Sequence, residues 1–545
     1  MSPFNRWSLG CLFSAMASAS ALAVEPLSQG QSVRASVAKT LQPSWSLALK
    51  AGDLVQGKVV GDVSLRLLDA RGNPLRLLVD GADMSRDFMF VAREDGQYLL
   101  RAEQLSTRPQ AEFTLTLSQV LALSEQQRAP TTLLSPALGQ LAEQLKQGAT
   151  TQSFWKDREQ QGTPLVEALA DSPNERLVTF LWRGARQNVR LFGSPSGGHD
   201  ALQRLGDSDV WYATYRVPSS ARLSYQLAPD VPEAGDRRTL LATAQRDPLN
   251  PHTFGKQKYE PSLTRSVMEL PDAPPQPWLN KRAHVAPGSV ERESLKSEIL
   301  GNTRDVYVYR PAGWKNIDQQ PGLLVLFDAH AYTRQVPTPT ILDNLIADGL
   351  IPPTAALIIA NPSDETRPVE LPPNADFARF MAQELMPWAK QQGLATDARH
   401  TVVAGSSYGG LASAWLGLQH PELFGNVLSL SGSYWWSPPN TEDQWLARQY
   451  AASPRLPLRF YLQAGLFEDK SGSPGAGILD SNRQLRNVLQ AKGYPVEHVE
   501  YASGHDYLQW RGSLACGLIS LIGKSPETPE ACVPVALRSQ RPAIF

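Results

Sequence analysis

Hydrophobic and polar positions along the chain fall into distinct textures. Between residues 24 and 123 apolar residues come in short alternating runs, among them Val63-Ser64-Leu65-Arg66-Leu67-Leu68, Leu75-Arg76-Leu77-Leu78-Val79, Phe88-Met89-Phe90-Val91-Ala92, Gly96-Gln97-Tyr98-Leu99-Leu100 and Phe113-Thr114-Leu115-Thr116-Leu117. Turn formers such as Gly72-Asn73-Pro74 separate them, and alternation at this spacing predicts a small β-sandwich. Residues 124–175 are more polar, with Leu138, Leu141 and Leu145 at helical spacing, and predict a helical connector. Alternation returns over residues 176–285, now rich in aromatics: Leu177-Val178-Thr179-Phe180-Leu181-Trp182, Val189-Arg190-Leu191-Phe192, Val210-Trp211-Tyr212-Ala213-Thr214-Tyr215 and Arg222-Leu223-Ser224-Tyr225-Gln226-Leu227. These predict an immunoglobulin-like sandwich, with Trp211, Tyr212 and Tyr215 serving either as its core or as a ligand platform.

A stiff bridge, Leu270-Pro271-Asp272-Ala273-Pro274-Pro275-Gln276-Pro277, leads into a different pattern over residues 286–545. Continuous apolar runs now alternate with helical text: Thr303 to Tyr309, Leu323 to Asp328, Ala355 to Ala360, Thr401 to Ala404, Val427 to Leu430, Leu458 to Leu462 and Val496 to Tyr501. Strands of that kind belong to a mostly parallel sheet covered on both faces, an α/β fold. The spacing predicts helices over 376–391, 409–418 and 480–491.

The run Thr401-Val402-Val403-Ala404 breaks into Gly405-Ser406-Ser407-Tyr408-Gly409-Gly410 and then into Leu411-Ala412-Ser413-Ala414-Trp415-Leu416. A β-branched run, a Gly-x-Ser-x-Gly pattern and a helix form a nucleophile elbow, with Ser407 in the central place. In an α/β-hydrolase the acid and then the histidine follow the serine in the chain. Of the histidines beyond Ser407, His420 ends the helix leaving the elbow and His498 lies inside a strand. His505, in the loop Ser503-Gly504-His505-Asp506, is the candidate base. Two carboxylates follow the strand at Leu458: Glu468 is the preferred acid and Asp469 the alternative, and a dyad oriented by a backbone carbonyl remains a third arrangement. The candidate oxyanion donors are the amides of Tyr408 and Ala329. Gly198-His199-Asp200 resembles the histidine loop but precedes the serine in another domain.

Residues 1–23 carry Arg6, a short apolar core and the ending Ala21-Leu22-Ala23, which predicts a secretory signal peptide cleaved after Ala23 and a periplasmic product. The apolar core is too short for a bilayer of ~30 Å, and no other long apolar run follows, so no membrane insertion is expected after cleavage. Cys516 and Cys532 then remain, an even pair expected to be bridged in an oxidising compartment, with two buried thiols as the other reading. A net charge of −1 argues against nucleic acid as a partner. No clustered metal-ligand spacing or nucleotide loop appears, so no cofactor is expected. The sequence carries no signature of an oligomeric state.

Several motifs together resemble enterochelin (enterobactin) esterases: Pro373-Asn374-Ala375-Asp376-Phe377, the elbow, Gly417-Leu418-Gln419-His420-Pro421-Glu422-Leu423-Phe424-Gly425, Leu430-Ser431-Gly432-Ser433-Tyr434-Trp435-Trp436 and Gly504-His505-Asp506-Tyr507-Leu508-Gln509-Trp510-Arg511-Gly512. Upstream, Val210-Trp211-Tyr212 and Asp247-Pro248-Leu249-Asn250-Pro251 resemble that family's N-terminal domain. The resemblance implies an α/β-hydrolase that cleaves the serine trilactone of a catecholate siderophore, with Ser407 and His505 as nucleophile and base, and iron arriving with the substrate. For such an aromatic, anionic ligand Arg334, Arg367, Arg511 and Trp435 are the candidate contacts by charge and stacking. The export signal and extra sandwich depart from the family's usual plan. A secreted carboxylesterase of feruloyl type and a non-catalytic siderophore- or glycan-binding protein are the other readings.

Overall fold

The computed structural model describes residues 24–82, 85–104, 110–125, 133–232, 237–255, 262, 264–316, 319–394, 396–469, 477–525 and 527–533. The proposed signal segment lies outside the described residues. The chain divides into two compact units, Met1–Ser124 and Glu125–Phe545.

In the first unit Glu25–Pro26, Ser44–Leu49, Gly96–Glu103, Val63–Asp69 and Pro74–Ala82 form a five-stranded sheet in that order. A second sheet runs Ser32–Val37, Ala111–Leu121, Leu54–Gly61 and Ser85–Val91. Trp45, Leu65 and Leu100 of the first sheet share one apolar core with Val55, Phe90 and Leu115 of the other.

The second unit opens on helices Pro136–Lys146 and Gln152–Gln161. Leu138, Leu141 and Trp155 pack on Leu181, Val210 and Tyr212, so the helical face predicted from leucine spacing is buried against strands. Two four-stranded sheets follow. One is ordered Leu165–Ala168, Glu175–Arg183, Val210–Pro218 and Gln203–Arg204; the other is ordered Val189–Gly193, Arg222–Pro229, Arg265–Glu269 and Thr253–Phe254. The strand Leu165–Ala168 shows that this sheet begins inside the stretch read as connector; four half-exposed residues are too few for alternation to register. Trp211 and Tyr212 are buried, and Tyr215 packs on the same strands while its hydroxyl donates to Asp200 (2.8 Å). They are core rather than an open platform.

An eight-stranded sheet occupies the rest: β1 Ser289–Ser297, β2 Asn302–Arg310, β3 Gly322–Leu326, β4 Thr354–Ile359, β5 Thr401–Ser406, β6 Asn426–Leu430, β7 Arg459–Gly465 and β8 Val496–Tyr501. Their order is β1-β2-β4-β3-β5-β6-β7-β8. β1 and β2 are antiparallel to their neighbours and all later pairs are parallel. β1 was not predicted: it is an edge strand of sequence SVERESLKS, and charged edges are how sheets avoid further pairing. Leu323 and Val325 point into one core, Leu324 and Leu326 into the other, so both faces are dry. Helices Ala375–Phe380, Tyr408–Gln419, Trp445–Ala452 and Ile478–Ala491 cover the first face through Phe377, Leu411, Leu446 and Leu485. Ala329–Arg334, Thr338–Ala347 and Tyr507–Ile522 cover the second through Tyr332, Ile341 and Leu514.

The helix predicted over 376–391 is interrupted by a π turn, Met381–Leu385. Pro387 lacks the N–H that the preceding turn needs, which accounts for the widened register. Strand order reverses at β3, so the turns after β3 and β5 flank one crevice at the carboxyl edge of the sheet. Cys516 and Cys532 form a disulfide that ties the chain beyond the last helix back onto it.

Candidate active site

Ser407 sits at that crevice, between the buried strand β5 and the helix Tyr408–Gln419, with φ 58° and ψ −119°. A side-chain-bearing residue rarely takes this conformation, and the surroundings hold it there. The Ser407 amide donates to Leu430 O (2.9 Å), while its carbonyl accepts from the amides of Leu411 and Ser433 (both 3.1 Å). The flanking glycines act differently from one another. A Cβ on Gly405 would stand 2.6 Å from the backbone of Gly409, and one on Gly410 would stand 2.6 Å from Ser429 Oγ. At Gly409 a Cβ would meet only ordinary contacts, so the space for the turn is made at Gly405 and Gly410.

Glu468 and His505 come together from the loops after β7 and β8. His505 Nδ1 lies 2.6 Å from Glu468 Oε1, and Glu468 is buried whereas Asp469 is exposed. The other carboxylate oxygen, Oε2, accepts from Ser431 Oγ (2.8 Å) and from the Gly465 amide (2.5 Å). Ser431, itself at φ 50°, also accepts from the indole N–H of Trp510 (3.0 Å). Trp510 stacks edge-on against His505, with ring centroids 4.7 Å apart, and Tyr507 and Tyr332 continue the aromatic row. Ser407 Oγ lies 3.2 Å from Ser433 Oγ, its hydrogen-bond partner among the described residues. Apo hydroxyls of this kind commonly tighten onto the base only with substrate bound.

Ala329 and Tyr408 begin the helices after β3 and β5, where the first amides have no intrahelical acceptor. The turn before Ala329 is shaped by Asp328, which is in the left-handed region at φ 60°. Arg367 clamps Asp328 with two bonds, Nε to Oδ1 at 2.7 Å and Nη2 to Oδ2 at 2.8 Å, and Asn361 adds a third at 2.8 Å. Burial alone would lower the pKa of Arg367, but the Asp328 carboxylate more than offsets this and raises it.

The residues singled out for substrate contact are distributed unevenly. Trp435 is 43% exposed and its ring lies 6.2 Å from that of Tyr408, which also lies 5.8 Å from the Arg367 guanidinium. Arg367 is thus beside the nucleophile, with its hydrogen-bonding edge committed to Asp328. Arg334 is exposed at the end of the helix Ala329–Arg334. Arg511 departs from the expectation: it donates to Gln276 Oε1 (2.8 Å) and stacks over Phe254, and burial lowers its pKa. It follows Trp510 on the helix, and ~100° of rotation per residue turns it away from the aromatic row. Ser431, Ser433, Asp328 and Asn361 were missed as site residues. Ser431 and Ser433 lie inside the Leu430–Trp436 motif with no chemical signal of their own, and Asp328 is marked only by its place at the end of β3.

A strained serine on an elbow, a buried carboxylate bonded to a histidine and two helix-start amides at the carboxyl edge of one sheet define a serine hydrolase of the α/β-hydrolase class. The chain matches the Esterase family model over residues 297–521 and the model for "Enterochelin esterase, N-terminal" over residues 177–279. It is 32% identical over 429 residues to the iron(III) enterobactin esterase of Dickeya dadantii, covering 70% of this chain and 95% of that protein. With the iron(III) salmochelin esterase of Escherichia coli O6:H1 it shares 29% identity over 417 residues, 71% of this chain and 98% of the other. The crystal structure of the enterobactin esterase from Shigella flexneri in the presence of enterobactin superposes with a TM-score of 0.53 at 30% identity, over 66% of this chain and 96% of that one. The chain belongs to the enterochelin esterase family and is an esterase.

Proposed function

We propose that this esterase hydrolyses the ester bonds of a catecholate siderophore of the enterobactin type, iron-loaded, and so releases the metal. The observation that supports this most directly is that the chain covers nearly the full length of the enterobactin esterase of Dickeya dadantii, with Ser407 on a strained elbow and Glu468 hydrogen-bonded to His505 in loops at the same edge of the sheet. In this reading the Nδ1–H of His505 stays hydrogen-bonded to the Glu468 carboxylate while Nε2 accepts the Ser407 proton. Ser407 Oγ attacks the ester carbonyl, and the amides of Ala329 and Tyr408 hold the oxyanion. His505 then gives its Nε2 proton to the departing side-chain oxygen of the substrate's serine, which leaves as a hydroxyl and opens the lactone. A water, deprotonated by the same histidine, releases the acyl group and regenerates Ser407. Trp435 and Tyr408 offer aromatic faces beside the reacting serine for the catechol rings, and Arg334 and Arg367 offer positive charge.

Export to the periplasm belongs to the same proposal. It rests on the sequence of residues 1–23 and on the Cys516–Cys532 bridge, a bond at home in oxidising compartments. Residues 24–123 are proposed to be a β-sandwich module acting as spacer or binding element, a role favoured by two facing sheets and no catalytic cluster among its described residues. The test incubates the purified enzyme with ferric and iron-free enterobactin and with a feruloyl ester, following products by mass spectrometry. Successive opening of the trilactone is the expected result. Intact trilactone alongside cleaved feruloyl ester would replace the siderophore reading with the general esterase one.

A further inference from the structure

The loops carrying Glu468 and His505 rest on the sandwich of residues 165–270. Ala502 lies within the apolar core of that sandwich, and Leu466 and Phe467 pack against it, so both loops contribute to a core that is not their own. The amide of Arg222, on the strand Arg222–Pro229, donates to Ala502 O (3.0 Å). Two residues further along the strand, the Ser224 amide donates to Asp506 Oδ2 (3.1 Å). Asp506 directly follows His505, and its other oxygen accepts from the Leu508 amide (3.0 Å), capping the helix Tyr507–Ile522. Gly504, directly before His505, meets the sandwich at the end of the neighbouring strand Val189–Gly193, where a Cβ would collide with the Ser194 side chain. The two loops are also tied together, with the Phe467 amide donating to Ser503 O (3.1 Å).

We propose that the sandwich is the jig that positions the acid–base pair, with Asp506 as the positioning residue and Gly504 as the residue whose missing side chain lets the histidine loop seat against the sandwich. The inference rests on the assignment of Glu468 and His505 as the acid and base. A histidine between two residues, each held by the same neighbouring domain, has little freedom to rotate away from the serine. Misplacement of such a group by about 1 Å costs up to ~10²-fold in rate. The sandwich therefore acts on turnover rather than only on solubility or stability.

The cross-domain contact allows a rescue experiment. Gly504→Ala should lower kcat about tenfold or more with KM little changed. Ser194→Gly alone, which opens space in the other domain, should leave turnover within about twofold of the parent, and combining the two should restore most of the lost rate. Should Gly504→Ala prove too poorly folded to assay, Asp506→Asn supplies the second readout. Asparagine keeps the helix cap but has one acceptor oxygen to divide between Leu508 and Ser224, so kcat should fall with melting temperature and KM nearly unchanged. Ser407→Ala is assayed in parallel. If it retains turnover, the triad assignment falls. If it is inactive while Gly504→Ala and Asp506→Asn turn over at the parent rate, or while Ser194→Gly gives no rescue, the jig is overturned and the triad stands.

Discussion

Ser431 donates to Glu468 across a 2.8 Å hydrogen bond and thereby leaves a single oxygen of the carboxylate for His505. The same hydroxyl accepts from Trp510, whose ring packs on His505, so one buried serine fixes the acid and the aromatic wall of the base together. Ser431→Ala removes a donor from a buried carboxylate and strands an indole N–H. A loss of about 1–3 kcal/mol in unfolding free energy is expected, read by urea denaturation. A drop in kcat larger than any change in KM should accompany it. Unchanged kcat in a destabilised variant would reduce Ser431 to a packing role.

The two neighbouring carboxylates should behave very differently. Glu468→Gln keeps the shape but removes the charge facing His505 Nδ1, and a loss on the order of 10⁴ in kcat is the expected scale for such a change. Asp469→Asn alters an exposed side chain and should stay within about twofold, as surface substitutions do. Equal losses in both variants would break the assignment of Glu468.

Arg367 separates support from substrate binding. Arg367→Ala leaves Asp328, which is 7% exposed, without its bidentate partner, and breaking a buried pair in this way costs about 3–5 kcal/mol. Because Asp328 shapes the turn that presents the Ala329 amide, kcat should fall for small neutral esters as well as for anionic siderophores. A defect confined to anionic substrates, with stability intact, would show instead that Arg367 acts as a ligand contact.

The parallel core of the catalytic sheet was legible because β3 to β6 are continuous apolar runs separated by helical text. β1 was not, since its glutamates and arginines suit an open edge and carry no apolar period. Ser407 and His505 could be singled out because motif and chain order constrain them. The choice between Glu468 and Asp469 needed the fold, for it depends on which side chain turns inward after β7. Arg511 shows the converse: charge alone nominated it, and helical phase placed it against Gln276 and Phe254. Contacts between residues far apart in sequence, such as Ser194 with Gly504, leave no local pattern.

The disulfide closes a loop between residues 16 positions apart, which the chain-entropy estimate values at ~3 kcal/mol. Replacing Cys516 and Cys532 by alanine should lower the unfolding free energy by about that amount, read by urea denaturation. Activity per folded molecule should be retained, because neither sulfur touches the catalytic residues. Matching stability with and without reductant would show that the bridge does not form in the native enzyme.

Stability should fall as the solution is acidified, for a reason lodged in β8. His498 is buried; desolvation is the main cause that depresses its pKa below the ordinary 6.5, although Glu500 works in the opposite sense. Its Nε2 lies 3.0 Å from Glu500 Oε1, while Nδ1 is buried without a hydrogen-bond partner among the described residues, so protonation would place an unmatched N–H there. Glu500 is held down to about 2, first by its hydrogen bond to Arg483 and, against the opposing effect of burial, also by His498. For both groups the unfolded chain binds more protons than the folded one as pH drops. The histidine term is fully favourable above about 6.5 and is lost below it; the Glu500 term is present above 4.5 and is lost as pH falls toward 2. The melting temperature should therefore decline in two stages, the first beginning near pH 6.5. His498→Gln, which keeps a donor toward Glu500 but cannot charge, should flatten the first stage and spare the second. An identical profile in that variant would place the acid sensitivity elsewhere.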